Sequence, residues 1–477
     1  MDKKIGNLNE ASLKHKVKMD LRKLGLPIIR EKEIWRTNPK RRADVVAYSV
    51  DREGNLTAEV VVEIKLRTSP DMQRQLQEAA KKLGSTYALL VVGTDYYWYD
   101  GDTFLPIAAP EVIKSTGQYL IKEEDILNKF WTLFNYFQGS PYISYDHVLF
   151  LGHCLVTRAY LGKTNKLEQW GNLINREDYF KIMRESLVYY GLEFNEFMVR
   201  KIDDNLIKSI VNELRELPPT DLNLGRAFME SAIEMIFKNS TMGQFFEPRN
   251  VRNLLNQIIR SLRVRGGTIL NLTTGVGTVL YELIQAADVD KYVALEFDQL
   301  TATIAKIVTI LSGEEKVEIY NEDALLFKQN KGNYKLVSLD PPLKKLKQDE
   351  FDRYSHYELI KNRGHNLELA DLFIEHAINM VEQGGHIIAL VPESILFKTP
   401  GDARKLIRNK TYIEGIISLP MHTFKPYTAV KMSILILRKK KDNEPEPKDL
   451  FLGAPESVDA FPEIAEAFTK WKRESDS

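Results

Sequence analysis

The sequence predicts an α/β protein whose C-terminal half contains a doubly wound, mostly parallel sheet. Between residues 268 and 438, short runs of β-branched and apolar residues alternate with helical segments, a pattern typical of a sheet with helices on both faces. A second α/β unit is indicated by β-rich runs and one amphipathic helix between residues 44 and 105. Residues 120–240 are mostly helical in pattern and would connect the two α/β units.

Composition limits the classes of protein that fit. The chain has 477 residues, 44% of them hydrophobic, and at roughly 100–200 residues per domain it is expected to form two to four domains. Its single cysteine, Cys154, excludes a disulfide framework and a cysteine-rich zinc site and suits a cytoplasmic location. No apolar run approaches the ~18 residues of a membrane span, so no membrane partner is expected.

Charge is balanced overall, with 66 basic and 66 acidic side chains. Residues 1–42 nevertheless hold 13 Lys or Arg against 5 Asp or Glu. This local excess fits a solvated basic surface and also fits a patch that faces nucleic-acid phosphates. The sequence alone leaves both interpretations open.

Four strand ends in the C-terminal half carry groups suited to a nucleoside ligand. The first strand runs into a loop with Gly275 and Gly277, where backbone amides can approach a ligand closely. The second ends at Glu296, an acid placed to accept the hydroxyls of a ribose. The third reaches Asp323, which could accept from an adenine amine, and the fourth ends in an Asp-Pro-Pro motif that begins at Asp340. We expect these groups to converge at one edge of the sheet.

Residues 224–438 resemble the modification subunit of type I restriction–modification systems, an N6-adenine-specific DNA methyltransferase. The segment GQFFEPRNVRNLL is similar to GxFYTPRxVxxLM of that family, NLTTGVGTVL to DPACGTGGFL, and DPPL to NPPF. The resemblance implies a Rossmann-like methyltransferase domain, S-adenosyl-L-methionine as cofactor and double-stranded DNA as substrate. The cofactor-binding residues that it implies are Gln244, Phe245, Phe246, Pro248, Asn271, Thr273, Gly275, Gly277, Glu296 and Asp323.

The same resemblance gives the Asp-Pro-Pro motif a catalytic role. Asp340 and the carbonyl of Pro341 would accept hydrogen bonds from the amine of the target adenine, which orients the nitrogen lone pair toward the methyl group. Because the sulfonium is already an activated donor, this step needs no metal, and positioning supplies the rest. The catalytic residues implied are Asp340, Pro341, Pro342 and Leu343.

Two residues depart from the pattern of that family. Asn271 stands where the family has an Asp that meets the ammonium group of the cofactor. Leu343 stands where an aromatic residue normally holds the flipped base by stacking. Asp340 in place of Asn is compatible with activity, because other amine methyltransferases use DPPY.

A second candidate site lies in the N-terminal α/β unit. Asp44 lies on one predicted strand, and Glu63 and Lys65 flank Ile64 on the next, so both point to the same face. Two carboxylates on neighbouring strands can hold Mg²⁺, and a lysine beside them can position or activate water at a phosphodiester. A charged, exposed strand face is the alternative interpretation.

Residues 12–105 resemble the N-terminal nuclease domain of the type I restriction subunit, which has a PD-(D/E)XK fold. The resemblance rests on ADVVAY, VVVEIK and RQLQEAAKKLGSTYALLVVGTDYYWYDG. It implies an endonuclease with Mg²⁺ bound by Asp44 and Glu63, and with Lys65 and Gln75 as further catalytic residues. The tyrosine that follows this glutamine by four residues in the family is an alanine here.

Together these segments predict a fused restriction–modification protein. Because the chain leaves no room for a target-recognition domain of about 150 residues, either a separate specificity subunit is the expected partner or the protein is non-specific. The alternative is a non-catalytic methyltransferase-like module that binds S-adenosylmethionine or DNA and regulates or positions the nuclease. Methylation of a protein glutamine is disfavoured by the order of the type I segments. The expected domains are nuclease-like (1–115), helical connector (116–240), adenine methyltransferase-like (241–440), and linker with C-terminal helix (441–477).

Overall fold

The computed structural model of the chain forms two units, residues 1–120 and residues 121–477. The residues that it describes are 10–24, 26, 28–35, 41–50, 56–68, 70–110, 123–136, 145–194, 202–237, 246–362, 367–397, 402–425, 428–447 and 449–475.

The first unit is a five-stranded sheet with the strands in chain order. Neighbouring strands are antiparallel except β3 and β4, which are parallel and are joined through the helix α2. The elements are α1 (Glu10–Lys23), β1 (Ile28–Trp35), β2 (Arg41–Val50), β3 (Leu56–Lys65), α2 (Met72–Leu83), β4 (Tyr87–Val92) and β5 (Asp95–Asp100).

Both faces of this first sheet are covered by apolar side chains. Val61 and Leu90 belong to a cluster with α2, whereas their neighbours Val62 and Leu89 belong to a cluster with α1. Successive residues of a strand point to opposite faces, so a continuous apolar run is what a strand buried on both sides requires. The helix α2 ends before Gly84, whose φ of 61° lies in the left-handed region that glycine adopts readily.

The second unit begins with a helical region built around large buried rings such as Trp170, Phe130 and Phe228. The same core includes Ile304 and Val308 of the α/β region that follows, so the helices and the α/β region share one core. The helices are α3 (Glu123–Tyr136), α4 (Tyr145–Lys163), α5 (Arg176–Tyr189), α6 (Asp204–Leu214) and α7 (Leu222–Ala232).

The rest of the second unit is an eight-stranded sheet in the order β13-β11-β12-β10-β9-β6-β7-β8. The strands are parallel except β12, which is antiparallel to both neighbours. The strands are β6 (Thr268–Asn271), β7 (Lys291–Leu295), β8 (Val317–Tyr320), β9 (Tyr334–Leu339), β10 (Val381–Pro392), β11 (Thr411–Ser418), β12 (Met432–Lys439) and β13 (Phe451–Gly453).

Helices cover both faces of this second sheet. Leu270 and Val337 belong to one cluster, and Ile269 and Leu336 belong to another on the opposite face. The chain leaves β6 toward β7 and later crosses to β9 on the other side of β6, which creates a crevice at the carboxyl ends of these strands. The helices are α8 (Arg249–Ser261), α9 (Thr278–Ala286), α10 (Gln299–Leu311), α11 (Gln348–Arg353), α12 (Glu358–Asn362), α13 (Leu369–Met380), α14 (Ser394–Phe397), α15 (Asp402–Lys410) and α16 (Phe461–Ser475).

One helix is shorter than its sequence pattern predicts. The apolar period of LADLFIEHAINMVEQ predicts one helix over the whole segment, but α13 ends at Met380 and β10 begins at Val381. Val381 pairs with Tyr334 of β9. This β-branched residue is therefore in a strand, although the apolar pattern of the helix continues through it. In the part of the chain that the structure describes, no helix is both long and apolar enough to cross a membrane.

A buried charge cluster fastens α16 to the sheet. The Glu414 carboxylate accepts from Arg438 Nε at 2.8 Å and from Lys472 Nζ at 3.0 Å, and His386 Nε2 lies 3.3 Å away. Burial alone would raise the pKa of Glu414, but the neighbouring His386 and Lys472 lower that pKa to about 2. The net lowering shows that the charged form of Glu414 is favoured in the folded chain.

Replacing Glu414 with Ala should lower the free energy of unfolding by about 3–5 kcal/mol, because Lys472 and Arg438 lose the buried counter-charge that they share. Since the pKa is depressed, the contribution of Glu414 is present above the ordinary value of 4.5 and is lost as pH falls toward about 2. Urea unfolding at several pH values measures both effects. The matched variant Glu444→Ala removes a more exposed partner of Arg438 and should cost less than about 1 kcal/mol. Equal losses in the two variants would contradict this assignment.

Candidate active sites

The crevice at the carboxyl ends of β6 to β9 contains a cavity of about 550 Å³. It is formed by the loops that follow these four strands and by the segment before α8. The convergence predicted for the strand ends is therefore observed in the structure. The sequence-predicted residues that line the cavity are Phe246, Thr273, Gly275, Glu296, Asp323, Asp340, Pro341, Pro342 and Leu343.

The glycine loop after β6 is held open by backbone conformation. Gly275 has φ of 56° and Gly277 has φ of 101°, and an L side chain would be strained at either position. The Gly275 N–H donates to a Glu296 carboxylate oxygen at 2.8 Å, and the second oxygen accepts from the Asp298 N–H at 2.9 Å. Burial raises the pKa of Glu296, while these backbone hydrogen bonds oppose the shift. Glu296 thus holds the loop and lines the cavity at the same time.

Asp323, the acid after β8, is held by Arg353, the last residue of α11, and by Tyr354, which follows it. Tyr354 donates its hydroxyl to Asp323 at 2.9 Å, and Arg353 forms an ion pair with the same carboxylate oxygen. The other oxygen accepts from the Leu325 N–H at 3.1 Å. Arg353 and Tyr354 also line the cavity. They were not predicted from the sequence, since nothing near them in the chain marks a contact with Asp323.

The Asp-Pro-Pro loop places a carboxyl group in the cavity wall. The Asp340 backbone N–H donates to Thr273 Oγ1 at 2.6 Å. Asp340 Oδ1 is buried and has no hydrogen-bond partner among the described residues. Burial raises the pKa of Asp340 well above its usual range, and the charge of Glu247 and a hydrogen bond with it add to this shift. An unsatisfied oxygen in the wall of a cavity is an acceptor available to a ligand.

Glu247 is a site residue that the sequence did not reveal. It is 6% exposed, lines the cavity, and accepts from Thr278 Oγ1 at 2.6 Å. Phe297 also lines the cavity and is 71% exposed. Each could have been found as the next residue after a predicted site residue, because Glu247 follows Phe246 and Phe297 follows Glu296.

Other predicted cofactor residues lie next to the cavity without lining it. The Asn271 side chain is 1% exposed, donates to Ser338 Oγ and accepts from Thr274 Oγ1, both at 2.7 Å. Its amide therefore links β6 to β9 and is satisfied within the protein. Pro248 is the residue before α8, and Gly277 the residue before α9. The remaining two, Gln244 and Phe245, lie outside the described residues.

In the first unit, the predicted strand positions bring Asp44, Glu63 and Lys65 together. Lys65 Nζ lies 2.5 Å from Glu63 Oε1 and 3.9 Å from Asp44 Oδ2, and the same Asp44 oxygen accepts from the Ile64 N–H at 2.8 Å. Burial raises the pKa of Glu63, and the hydrogen bond with Lys65 opposes that shift. Lys14 of α1 lies 3.4 Å from Asp44 Oδ1 and was not predicted.

These three residues form a two-carboxylate site with an adjacent amine. Gln75 is exposed on α2, and the catalytic role expected of it stays a prediction. No group of three or more His, Cys, Asp or Glu side chains suited to a metal occurs in the described ranges. A Mg²⁺ ion at Asp44 and Glu63 would therefore complete its shell with water and phosphate oxygens, as this ion commonly does.

The second sheet has a cavity at its strand ends, which is where open α/β domains bind their ligands. A family model for N-6 DNA methylases matches residues 224–474, just over half of the chain. The chain therefore belongs to the N-6 DNA methylase family. The match confirms the methyltransferase part of the resemblance drawn from the motifs. No curated protein matches the chain.

Solved structures share the fold at low sequence identity. The methyltransferase subunit of the type I restriction-modification system from Streptococcus thermophilus has 16% identity and a TM-score of 0.55, covering 73% of this chain and 93% of that one. A Listeria monocytogenes protein described as a class I S-adenosylmethionine-dependent methyltransferase has 18% identity and a TM-score of 0.54, covering 73% and 98%. A modification subunit from Vibrio vulnificus YJ016 has 14% identity and a TM-score of 0.54, covering 75% and 91%.

Proposed function

We propose that the chain is an N6-adenine DNA methyltransferase that uses S-adenosyl-L-methionine and carries an attached nuclease domain. The observation that carries the first part is the convergence of Gly275, Glu296, Asp323 and Asp340 on one cavity. Glu296 would accept the ribose hydroxyls, Asp323 would accept from the adenine amine, and the glycine loop would allow close backbone approach. The exposed ring of Phe297 offers a face for the adenine base.

The residues of the Asp-Pro-Pro loop have separate tasks toward the target base. The unpartnered Asp340 Oδ1 and the Pro341 carbonyl accept from the target amine and orient its nitrogen lone pair. Leu343 lines the cavity and packs against the core cluster of α8 and α9, so it offers the base an apolar contact without a π face. When bound, the cofactor supplies a methyl group already activated by its sulfonium charge.

The nuclease part of the proposal is supported by the meeting of Asp44, Glu63 and Lys65. The parallel pairing of β3 and β4, joined through α2, also supports this part of the proposal, because it places Glu63 and Lys65 on a central strand of the first sheet. In this proposal Asp44 and Glu63 bind Mg²⁺, and Lys65 positions the attacking water. DNA is the substrate of both domains.

A separate specificity subunit would select the DNA sequence. The solved structures that share the fold include modification subunits of type I systems, and one related structure is described as concerning assembly of a type I complex. The competing proposal is a non-catalytic methyltransferase-like module. Leu343 and Asn271 favour it, and the unpartnered acceptor on Asp340 in the cavity wall favours catalysis.

Cofactor binding is tested by Glu296→Ala. The variant removes the acid that holds the glycine loop and that would accept the ribose hydroxyls, each a charge-assisted contact of about 1.5–3 kcal/mol. We expect S-adenosylmethionine to bind roughly 10- to 150-fold more weakly, as measured by titration calorimetry. Glu318→Ala, on the exposed side of β8 and away from the cavity, should bind like the wild type. No heat from the wild type at millimolar ligand would refute the proposed cofactor.

The Leu343→Phe variant tests whether the domain catalyses methyl transfer or is only a binding module. An aromatic ring adds base stacking worth about 1–3 kcal/mol, so methyl transfer from tritiated S-adenosylmethionine to mixed DNA should rise about 5- to 150-fold. The measurement includes a specificity subunit. Background label in the wild type that Leu343→Phe leaves unchanged would support the binding module instead.

A further inference from the structure

Asp323 in the cavity wall has most of its acceptor positions occupied by the protein. A carboxylate offers about two acceptor positions on each oxygen. Both are taken on Oδ2, because the Tyr354 hydroxyl donates to it at 2.9 Å and Arg353 Nη2 lies 2.5 Å from it. One is taken on Oδ1, by the Leu325 N–H at 3.1 Å. Within the described residues one position on Oδ1 is left, and Asp323 lines the cavity, so a ligand with one N–H donor would complete the set.

The hydroxyl group of Tyr354 is fixed by the packing of its ring. Tyr354 is 6% exposed, and its ring meets that of Tyr357 edge-on with the centroids 6.5 Å apart. Tyr357 is 2% exposed and donates its own hydroxyl to the Leu325 carbonyl at 2.7 Å. Two buried tyrosines therefore hold the loop that contains Asp323 and Leu325, and a satisfied network of this kind leaves the Asp323 side chain little freedom to turn.

The short helix α11 begins close to the Asp-Pro-Pro loop and ends at Asp323. Glu350 accepts from Lys344 Nζ at 2.7 Å and from the Lys347 N–H at 2.9 Å. Lys344 directly follows the Asp-Pro-Pro-Leu stretch and also lines the cavity. The start of α11 is thus anchored to the cavity wall, and this anchor sets where its other end presents the two residues that engage Asp323.

We propose that Arg353 and Tyr354 are positioning residues that make this cavity selective for a 6-aminopurine nucleoside. The inference rests on the proposed S-adenosylmethionine site and adds the residues that act on the base through Asp323. A 6-aminopurine presents an N–H donor to the remaining acceptor position. A 6-oxopurine places a carbonyl there, so that two acceptors face each other, and it carries its own N–H one ring atom away, at N1. A carboxylate fixed by two donors does not turn to that N–H, whereas a released carboxylate can.

The test is titration calorimetry of the full-length protein with S-adenosylhomocysteine and S-inosylhomocysteine, which carry adenine and hypoxanthine respectively. The wild type should bind the adenine compound about 10²-fold or more tightly, because a site built around an N–H rejects the analogue that lacks it. Tyr354→Phe keeps the buried ring and removes only the hydroxyl, so this preference should fall by about tenfold or more. Arg353 is nearly half exposed, and Arg353→Met should lower the preference only about two- to fivefold.

The matched control is Tyr320→Phe. It also removes a tyrosine hydroxyl that donates to an acid, Glu318, at 2.6 Å, but Tyr320 and Glu318 do not line the cavity. Both compounds should bind to it as they do to the wild type. An unchanged preference in Tyr354→Phe, whether or not both affinities fall together, would overturn the inference. Equal binding of the two compounds by the wild type would overturn it as well and leave the cofactor site in place, whereas binding of neither would refute that site itself.

Discussion

Asp340→Ala is expected to reduce methyl transfer to DNA by on the order of 10²–10³-fold, the usual effect of removing one preorganised polar group from a reacting centre. The variant loses the buried oxygen that has no partner within the described protein and is placed to accept from the target amine. The cavity wall otherwise keeps Thr273, Glu296 and the glycine loop. The measurement is incorporation of tritium from S-adenosylmethionine into DNA with a specificity subunit present.

The matched control is Asp340→Asn. Its side-chain carbonyl retains an acceptor in the same position, as in the NPPF sequence that the motif resembles, so activity should stay within about tenfold of the wild type. Both variants should unfold at the wild-type urea concentration if the loop acts on the target and not on stability. Wild-type transfer by Asp340→Ala would remove the catalytic role of the loop and favour the binding module.

The main features of the C-terminal fold and cavity were predictable because they depend on local pattern. Strands such as β9, buried on both faces, produce apolar runs, and their carboxyl ends meet at one edge of the sheet. Position in the chain is therefore enough to predict that Gly275, Glu296 and Asp340 lie together. The alternation of strands and helices was sufficient to predict that these strand ends meet at one edge of the sheet.

The contacts between separate loops were not predictable in the same way. Glu247 lies just before α8, and its place in the cavity wall depends on how that segment packs across the sheet end. The engagement of Asp323 by Arg353 depends on the position of α11, thirty residues later in the chain. Likewise, the hydrogen bond from the Asn271 amide to Ser338 joins two neighbouring strands that are far apart in the sequence, and the cofactor contact expected of Asn271 stays a prediction. Sequence spacing carries no information about which side chain satisfies another across strands.

In the N-terminal site too, positions along one strand were predictable, whereas contacts between separate elements were not. The period of two along β3 correctly placed Glu63 and Lys65 on one face, and their contact at 2.5 Å follows from it. The approach of Lys14 from α1 to Asp44 depends on helix packing and had no signal in the sequence. Its charge beside Asp44 would help to position a phosphate in the proposed nuclease site.

Lys65→Ala should reduce DNA cleavage at least about 10²-fold, because a group that positions or activates the attacking water typically contributes 10²–10⁴-fold. Lys65 Nζ contacts both Glu63 and Asp44, so the three side chains act as one unit, and Asp44→Ala or Glu63→Ala should be equally damaging. Only the two carboxylate variants should also lose Mn²⁺ binding in calorimetry, because the amine is not a metal ligand.

Nicking of supercoiled DNA with Mg²⁺ or Mn²⁺, with a specificity subunit present, measures the activity. Lys82→Ala, at the exposed end of α2, should cleave normally. Undiminished cleavage by Lys65→Ala, or Mn²⁺ binding that survives Glu63→Ala, would count directly against a nuclease centre at this position.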